Sequence, residues 1–522
     1  MDLGLYAILT PMIAGVLVRI VPDALKGVKE TIALVVSAVT LWFTVLLYRQ
    51  GWLESKLFGV TMFRVDTLSS FVLLWIGIFG LAMMLYSVGF MRGKKNLKTY
   101  YAYSLLSLGA ALGAVLANDM ILLLGMWGFL GLTLYMLITV AGPEAAPTAK
   151  KTLIIIGGTD SLLVLGVAVL WMMTGSTSLS QEAIPTITGL SILTYIMFAC
   201  AAFAKAGAMP FHSWVPDVAG VAPTSTVAFL PASLDKLLGI YLLARVSLNV
   251  FNLTPGMVLL LMIVGAFTLI AGVMMALVQH DMKRLLGYHA VSQVGYMIIG
   301  IGTLNPVGVA GGLFHMLNNA IYKGCLFLTS GAVEKREGTT NLAKLGGLAK
   351  YMPLTFASCV LASLAISGVP PLNGFVSKWM VYQGIIELGK NGGHLWVIWL
   401  VVAMFGSALT LASFVKVLHS VFLGAREKNS GGPKEVGFTM ALPMLGLALL
   451  TIVFGIFAYA LPLKVFILPA VNAIPGLRVP DVSGWLGWWS PGLATVMIIL
   501  GIVIGLIIYL AGRSKAVRVD SS

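Results

Sequence analysis

Five lysines, Lys205, Lys236, Lys323, Lys378 and Lys416, fall inside stretches otherwise apolar enough to cross a membrane. An ammonium at mid-bilayer costs roughly 2.5 to 3.5 kcal/mol on insertion scales, so five of them imply a use. Burial lowers the proton affinity of an amine toward the physiological range, which makes a desolvated lysine a site from which a proton can be moved. In FHMLNNAIYKGCLFL, His315, Asn319 and Lys323 stand at i, i+4 and i+8, on one side of a helix over two turns. Histidine titrates near pH 6.5 when unperturbed, so this ladder has the make-up of a proton relay through intervening water. A lone histidine would read as a satisfied core residue; its register with Asn319 and Lys323 argues for conduction.

Acids are few in these stretches. Asp160, in IIIGGTDSLL, is the only acid well inside its segment and is the leading partner for Lys205. Asp235 directly precedes Lys236 in PASLDKLLG, but neighbours on a helix point about 100° apart, so the partners of both lie on other helices. Asp119 fits an interfacial cap as well as a site residue. His212, Asp217, His280 and Asp281 lie near segment ends, where a solvated loop role serves equally, and Lys416 is close enough to an end to snorkel.

The elements that must hold these side chains are membrane helices. With 59% hydrophobic and 10% charged residues and a mean hydropathy of +0.97, the 522-residue chain is unlike a soluble domain, whose charged fraction is about a quarter. Apolar runs able to span about 30 Å of hydrocarbon recur near 3–21, 30–48, 67–90, 99–117, 119–141, 152–174, 190–208, 223–248, 254–278, 287–303, 306–332, 353–389, 394–424, 437–461 and 490–511, fifteen spans in all. The run 353–389 exceeds one crossing but holds Gly368, Pro370, Pro371 and Gly374, and reads as a single broken helix. The first segment has no small-residue cleavage signature and reads as a retained helix. Cys200, Cys325 and Cys359 lie within spans without metal-ligand spacing and read as small core residues.

The net charge of +14 is a matter of topology. Loops after odd-numbered spans carry 18 Lys and Arg, loops after even-numbered spans seven and the tail three; the remaining five are the intramembrane lysines. By the positive-inside rule the first set faces the cytoplasm, the N-terminus lies outside, and the tail falls inside after the fifteenth span of a multi-pass cell-membrane protein. Nothing is left over for a nucleic-acid partner. Cysteine clusters, Gly-rich nucleotide loops and cofactor fingerprints are missing from the sequence, so no catalytic residue, cofactor or metal is expected in this chain.

Two spans are unusual. The seventh reads FAKAGAMPFHSWVPD, with Lys205 followed by Gly207 and Pro210, and the twelfth reads SGVPPLNGFVSKWM, with Lys378 four residues past Gly374. Proline removes a backbone donor and clashes with the preceding turn, so both helices should break at mid-membrane, where open backbone is tolerated only beside water or protein. Interrupted helices in two halves point to inverted repeats around a midplane ion site. The symmetry is approximate, because the lysine precedes the first break and follows the second.

Taken together, HDMKRLLGYHAVSQVGYM (280–297), KAGAMPFHSWVPDVAGVAPTS (205–225), HMLNNAIYK and PPLNGFVSK resemble the antiporter-like subunits of respiratory complex I, Mrp-type Na⁺/H⁺ antiporters and membrane-bound hydrogenase or sulfane reductase complexes. The likeness covers roughly residues 60 to 430, and PASLDKLLGIYLLAR and SFVKVLHSVFLG look most like the last branch. It implies an all-α polytopic fold with a fourteen-helix core, two inverted five-helix repeats, broken helices 7 and 12, and here an extra C-terminal helix. The corresponding divisions are 1–98, 99–250, 251–430 and 431–522. It also implies a hydrated charged axis on which Lys205, Lys236, Lys323 and Lys378 match the family's lysines. Implied partners are other membrane subunits, further antiporter-like ones among them, the lipid bilayer and a peripheral redox module, so that the chain would serve an ion-translocating oxidoreductase without holding its redox chemistry.

The departures matter as much. Family members usually carry a glutamate after the tryptophan of the fifth helix, where MWGFLGLTLY has Gly128; Asn319 and Pro231 stand where histidines are common. Either the acid function has moved to another helix such as that of Asp160, or the ion path is altered, or the subunit seals and transmits without pumping. A stand-alone solute transporter would also have broken helices, but it would line them with aromatic and polar groups instead of lysines.

Overall fold

In the computed structural model, residues 3–22, 25, 27–57, 60–180, 183–390, 392–425, 432–477 and 491–512 are described. The helices are α1 (Leu3–Ile20), α2 (Val28–Gln50), α3 (Thr67–Phe90), α4 (Leu97–Leu116), α5 (Met120–Thr139), α6 (Ala146–Thr174), α7 (Gly189–Ala206), α8 (Trp214–Val221), α9 (Thr224–Phe229), α10 (Asp235–Arg245), α11 (Pro255–Leu277), α12 (Met282–Gly302), α13 (Pro306–Glu337), α14 (Pro353–Ser367), α15 (Asn373–Lys390), α16 (Trp396–Leu418), α17 (Phe438–Ile456), α18 (Leu468–Asn472) and α19 (Pro491–Gly512). Every expected span falls on helix. Among the described residues, eleven helical stretches are long and apolar enough to cross a membrane; α12 and α13 are more polar, α14 and α15 are the two halves of the twelfth span, and α19 covers the fifteenth. Of the loop and tail cations, Lys26, Arg426, Lys428, Arg478, Arg513, Lys515 and Arg518 lie outside the described residues.

The structure adds to the sequence reading in four places. An antiparallel hairpin, β1 (Leu53–Leu57) and β2 (Val60–Val65), joins α2 to α3. Helix α12 begins five residues before the apolar run, because Asp281 caps it by accepting from Arg284 N at 2.9 Å. A further helical segment, Tyr459–Asn472, follows α17. The eighth span is not one regular helix: α9 passes through a π turn at Leu230–Leu234 into α10. Pro231 has no N–H for the α register, so the turn widens, and Ser233 Oγ donates to Ala228 O at 2.9 Å.

Both broken helices end alike. Gly207 after α7 and Gly368 after α14 adopt φ of +76° and +80°. In each, the glycine N–H and the next N–H turn back onto the last helical carbonyls: Gly207 to Ala204, Ala208 to Phe203, Gly368 to Ala365 and Val369 to Leu364. This Schellman closure needs the left-handed conformation that glycine adopts without penalty. A proline three residues on, Pro210 or Pro371, then prevents the helix from resuming at once. The second break is also pinned sideways, since Asn318 Nδ2 donates to Asn373 O and Asn373 Nδ2 to Asn318 Oδ1, both at 2.9 Å.

Helix α13 is the buried centre, with every residue from Gly308 to Val333 inside. Helix α12 crosses α11 so closely that a Cβ at Gly295 would stand 2.5 Å from Gly265 O. Large apolar side chains on α1, α2, α6, α11 and α16 point outward instead, as helix faces in contact with lipid do.

Candidate functional site

Each of the five lysines places its ammonium on backbone carbonyls. Lys236 of α10 donates to Ala206 O, and Lys378 of α15 to Ile366 O at 2.8 Å, so these two cap the broken helices at their C-terminal ends, where the helix dipole favours a cation. Lys323 of α13 donates to Leu286 O at 3.0 Å, and Lys205 of α7 reaches Trp127 O at 3.4 Å. Lys416 donates to Leu277 O at 3.0 Å and Gln279 O at 2.7 Å; it is only part-buried and closes the end of α11, whereas the other four are at most 2% exposed.

Among the described residues, none of the five forms an ion pair with a carboxylate. Carboxylates pair with cations near the helix ends instead: Glu334 with Lys283 at 3.3 Å, Asp217 with Lys151 at 2.7 Å and Arg284 at 3.3 Å, and Asp66 with Arg245 at 2.5 Å. The distinction has a chemical consequence. Removing the proton from one member of a buried ion pair strands the partner's charge; a lysine held by neutral carbonyls can lose its proton without stranding anything.

Aromatic rings lie between the titratable groups. Trp127 of α5 donates its indole N–H to Asp160 Oδ1 at 2.9 Å, while its ring stands 5.0 Å from Lys205 Nζ. Asp160 and Lys205 are thus neighbours through one indole, not a direct pair. Phe414 lies 5.6 Å from Lys323 Nζ and 4.8 Å from the His289 ring, and Tyr296 lies 4.7 Å from Lys378 Nζ and 5.2 Å from the His315 ring. Asp160 and Lys205 thus share Trp127, His289 and Lys323 share Phe414, and His315 and Lys378 share Tyr296.

His315 is the most connected member. Its Nδ1 meets Ser377 Oγ at 2.9 Å, and its Nε2 meets Gln293 Oε1 and Tyr322 Oη, each at 3.2 Å. Asn319, one turn on toward Lys323, is fully buried with neither amide atom bonded within the protein, and Asp235 Oδ2, Gln293 Nε2 and His289 Nδ1 are in the same condition. Buried polar atoms of this kind are ones that bind water or exchange partners.

Several participants were not singled out from the sequence. His289, whose Nε2 meets Ser413 Oγ at 2.7 Å, Gln293 and Tyr296 line one face of α12. Their spacing of i, i+4 and i+7 in HAVSQVGYM is the signal that could have found them. Of the residues left open, Asp119 caps α5, accepting from Ile121 N at 2.9 Å and from the Thr177 hydroxyl, Asp281 caps α12, and Asp217 belongs to the Lys151 and Arg284 cluster. Gly128 faces outward, with nothing within 4 Å of where its Cβ would be, whereas a Cβ at Gly131 would stand 3.7 Å from Asp160 Oδ2.

A helical membrane bundle with two broken helices and buried lysines strung between them defines an antiporter-like membrane subunit. The chain belongs to the family described as NADH:quinone oxidoreductase/Mrp antiporter, TM, which it matches over residues 117–410. It is 32% identical over 441 residues to the Na(+)/H(+) antiporter subunit A1 of Staphylococcus haemolyticus, an alignment that takes in 79% of this chain and 54% of that protein. The chain spans about half the length of such curated relatives. Its fold superposes on the membrane-bound sulfane sulfur reductase, an archaeal respiratory membrane complex, with a TM-score of 0.83 and 26% identity, over 99% of this chain and 85% of that one. On the Mrp complex from Dietzia sp. DQ12-45-1b the TM-score is 0.82 at 25% identity, over 98% of this chain and 56% of that one.

Proposed function

We propose that this subunit conducts protons, alone or in exchange for Na⁺, along the line Asp160, Lys205, Asp235, Lys236, Lys323, His289, His315 and Lys378. The observation that carries the reading is that the buried lysines rest on neutral carbonyls, free to change charge state, while Glu334, Asp217 and Asp66 near the helix ends are tied up in ion pairs. Unit charges several Å apart at an effective dielectric near 20 interact by a few kcal/mol, so protonating one site raises the cost at the next and a proton added at one end displaces another further on. Asn319 stands between His315 and Lys323 as a position for bridging water. Lys416 serves the end of α11.

In this reading residues 99–250 and 251–430 are the two halves of the conducting unit, the N-terminus is external, and the chain works beside further membrane subunits. A separate redox module supplies the drive, as the likeness to a respiratory complex suggests; the resemblance to Na⁺/H⁺ antiporter subunits favours a second reading in which a sodium gradient does so. Asp160 takes the part of the fifth-helix acid that Gly128 cannot play.

The test is proton and Na⁺ uptake by the purified particle in proteoliposomes. Lys323→Met should abolish uptake, and normal uptake by that variant would overturn the reading. A redox-active subunit in the same particle supports redox drive; Na⁺-dependent proton movement without one supports the antiporter reading.

A further inference from the structure

The polar face of α13 does not stop at Lys323. Beyond His315, Asn319 and Lys323 it takes in Ser330 and Glu334, and all five fall within about 100° of one another around the helix. Helix α12 meets this face in antiparallel order: His315 contacts Gln293 at 3.2 Å, Lys323 Nζ rests on Leu286 O at 3.0 Å, and Glu334 pairs with Lys283 at 3.3 Å. Along the seam lie buried polar atoms that find no partner among the described residues, namely Ser330 Oγ, both amide atoms of Asn319, Gln293 Nε2 and His289 Nδ1. All four side chains are 0% exposed. A dry seam would leave every one of these atoms unsatisfied, which folded chains avoid, whereas water between the helices satisfies them. At its outer end the seam is shut. Glu334 Oε2 accepts from both Lys283 and the Thr224 hydroxyl, and the carboxylate side chain, 27% exposed, meets solvent with the ammonium of Lys283 behind it. Ala222 O, also 3.3 Å from Lys283 Nζ, gives that ammonium a second acceptor to turn to when it leaves the carboxylate.

We infer that the seam between α12 and α13 is a water route by which Lys323 exchanges protons with the compartment at the C-terminal end of α13, and that the Lys283–Glu334 pair is its gate. The inference deepens the conduction reading and rests on it. The pair itself stays charged and acts by position: with Lys283 on Glu334 the mouth is closed, and with Lys283 on Ala222 O water enters beside Ser330, whose hydroxyl accepts from one water and donates to the next. Between Ser330 and Lys323 the face carries Leu326, seven residues or about 10 Å of rise. The Lys323 side chain shortens that stretch, because its ammonium lies on Leu286 O, one turn of α12 from Lys283. A proton delivered by water to the neutral amine of Lys323 makes the ammonium, and the reverse step returns it.

Millisecond X-ray radiolysis of the intact purified particle, with side-chain oxidation located by mass spectrometry, tests for the water without any substitution. Leu326 stands on the seam face and Leu317 on the opposite side of α13, and both are 0% exposed. We expect Leu326 to be oxidised several-fold faster than Leu317, and faster again in Glu334→Gln, where the gate is weakened. In proteoliposomes the Glu334→Gln particle should also dissipate an imposed pH gradient several-fold faster than the parent, and Ser330→Leu in the same chain should return it to the parent rate. Equal oxidation of the two leucines in both particles overturns the inference whatever the transport results, and so does a leak that Ser330→Leu leaves untouched. A wet seam together with normal uptake by Lys323→Met would overturn the conduction reading and leave the water route standing.

Discussion

Lys205 and Asp160 are linked through a single indole, and that arrangement bears directly on the missing fifth-helix glutamate. Trp127 offers its N–H to the carboxylate and its carbonyl to the ammonium, so the acid influences the lysine without neutralising it in a tight pair. Asp160→Asn should reduce coupled proton or Na⁺ uptake at least tenfold while leaving the particle intact. Restoring a carboxylate with Gly128→Glu in that background should be tolerated sterically, since nothing lies within 4 Å of the Gly128 Cβ position, but should not restore uptake, because that position faces away from the bundle. Initial uptake rates check both, and unchanged transport by Asp160→Asn would sink the relocation of the acid. At this scale the sequence was informative where charge met apolarity: any lysine in a hydrophobic run stands out. His289 and Gln293 were harder to see, because histidine and glutamine carry no formal charge and were scattered among small residues. The placement of Trp127, Phe414 and Tyr296 beside the buried lysines was not legible, since an aromatic ring next to a charge is a property of packing and not of composition.

The helix breaks were legible because glycine and proline act locally. Gly207 with Pro210 and Gly368 with Pro371 set two like turns, and the three-residue offset is the same in both. What could not be read was which lysine answers which break, because Lys236 reaches the first one from a different helix. The tightness of the second break leads to a stability prediction. A Cβ at Gly374 would lie 1.9 Å from Ala365 O, a backbone atom that cannot swing aside, so Gly374→Ala should cost at least about 2 kcal/mol. Gly128→Ala, into open space, should stay within about 0.5 kcal/mol of the parent. Thermal unfolding of the two variants in detergent distinguishes them, and equal melting temperatures would mean that α14 and α15 adjust freely. The π turn at Pro231 was missed for a related reason: a proline inside an apolar run signals a disturbed helix without telling a kink from a widened turn.

For the whole molecule, the ion pair between Asp66 and Arg245 ties the start of α3 to the end of α10 at 2.5 Å. Burial by itself pushes the Asp66 carboxyl up, but the Arg245 charge and hydrogen bond, backed by Ser69, prevail and hold it at about 2. A carboxyl whose folded pKa lies below its unfolded one stabilises the fold above the unfolded value and ceases to do so as pH falls through the folded one. The shift corresponds to about 2 kcal/mol at neutral pH. Asp66→Asn should therefore melt lower than the parent at pH 7, and the gap should close between about pH 4 and pH 2; a gap constant across that window would show that the pair contributes no pH-dependent stability. The all-helical membrane architecture was fully legible, since fifteen apolar runs leave little choice. The hairpin at 53–65 and the helix at 459–472 were not, the first because its charged residues look like a loop and the second because Pro462 and Lys464 interrupt its hydrophobicity.

The lysines at the two breaks also fasten the backbone. Lys236 and Lys378 donate to carbonyls at the C-terminal ends of α7 and α14, and the helix-dipole attraction of about 0.5 to 2 kcal/mol exists only while the amine is charged. Occupancy by a proton and firmness of the broken helix are then one variable: a site that empties also loosens its own hinge. Lys378→Met, which imitates the emptied site permanently, should speed amide hydrogen exchange at Gly368 and Val369 several-fold with no change at Gly207 and Ala208, and Lys236→Met should do the reverse. A mechanism that moves charge along this line therefore carries its own mechanical record of where the charge has been.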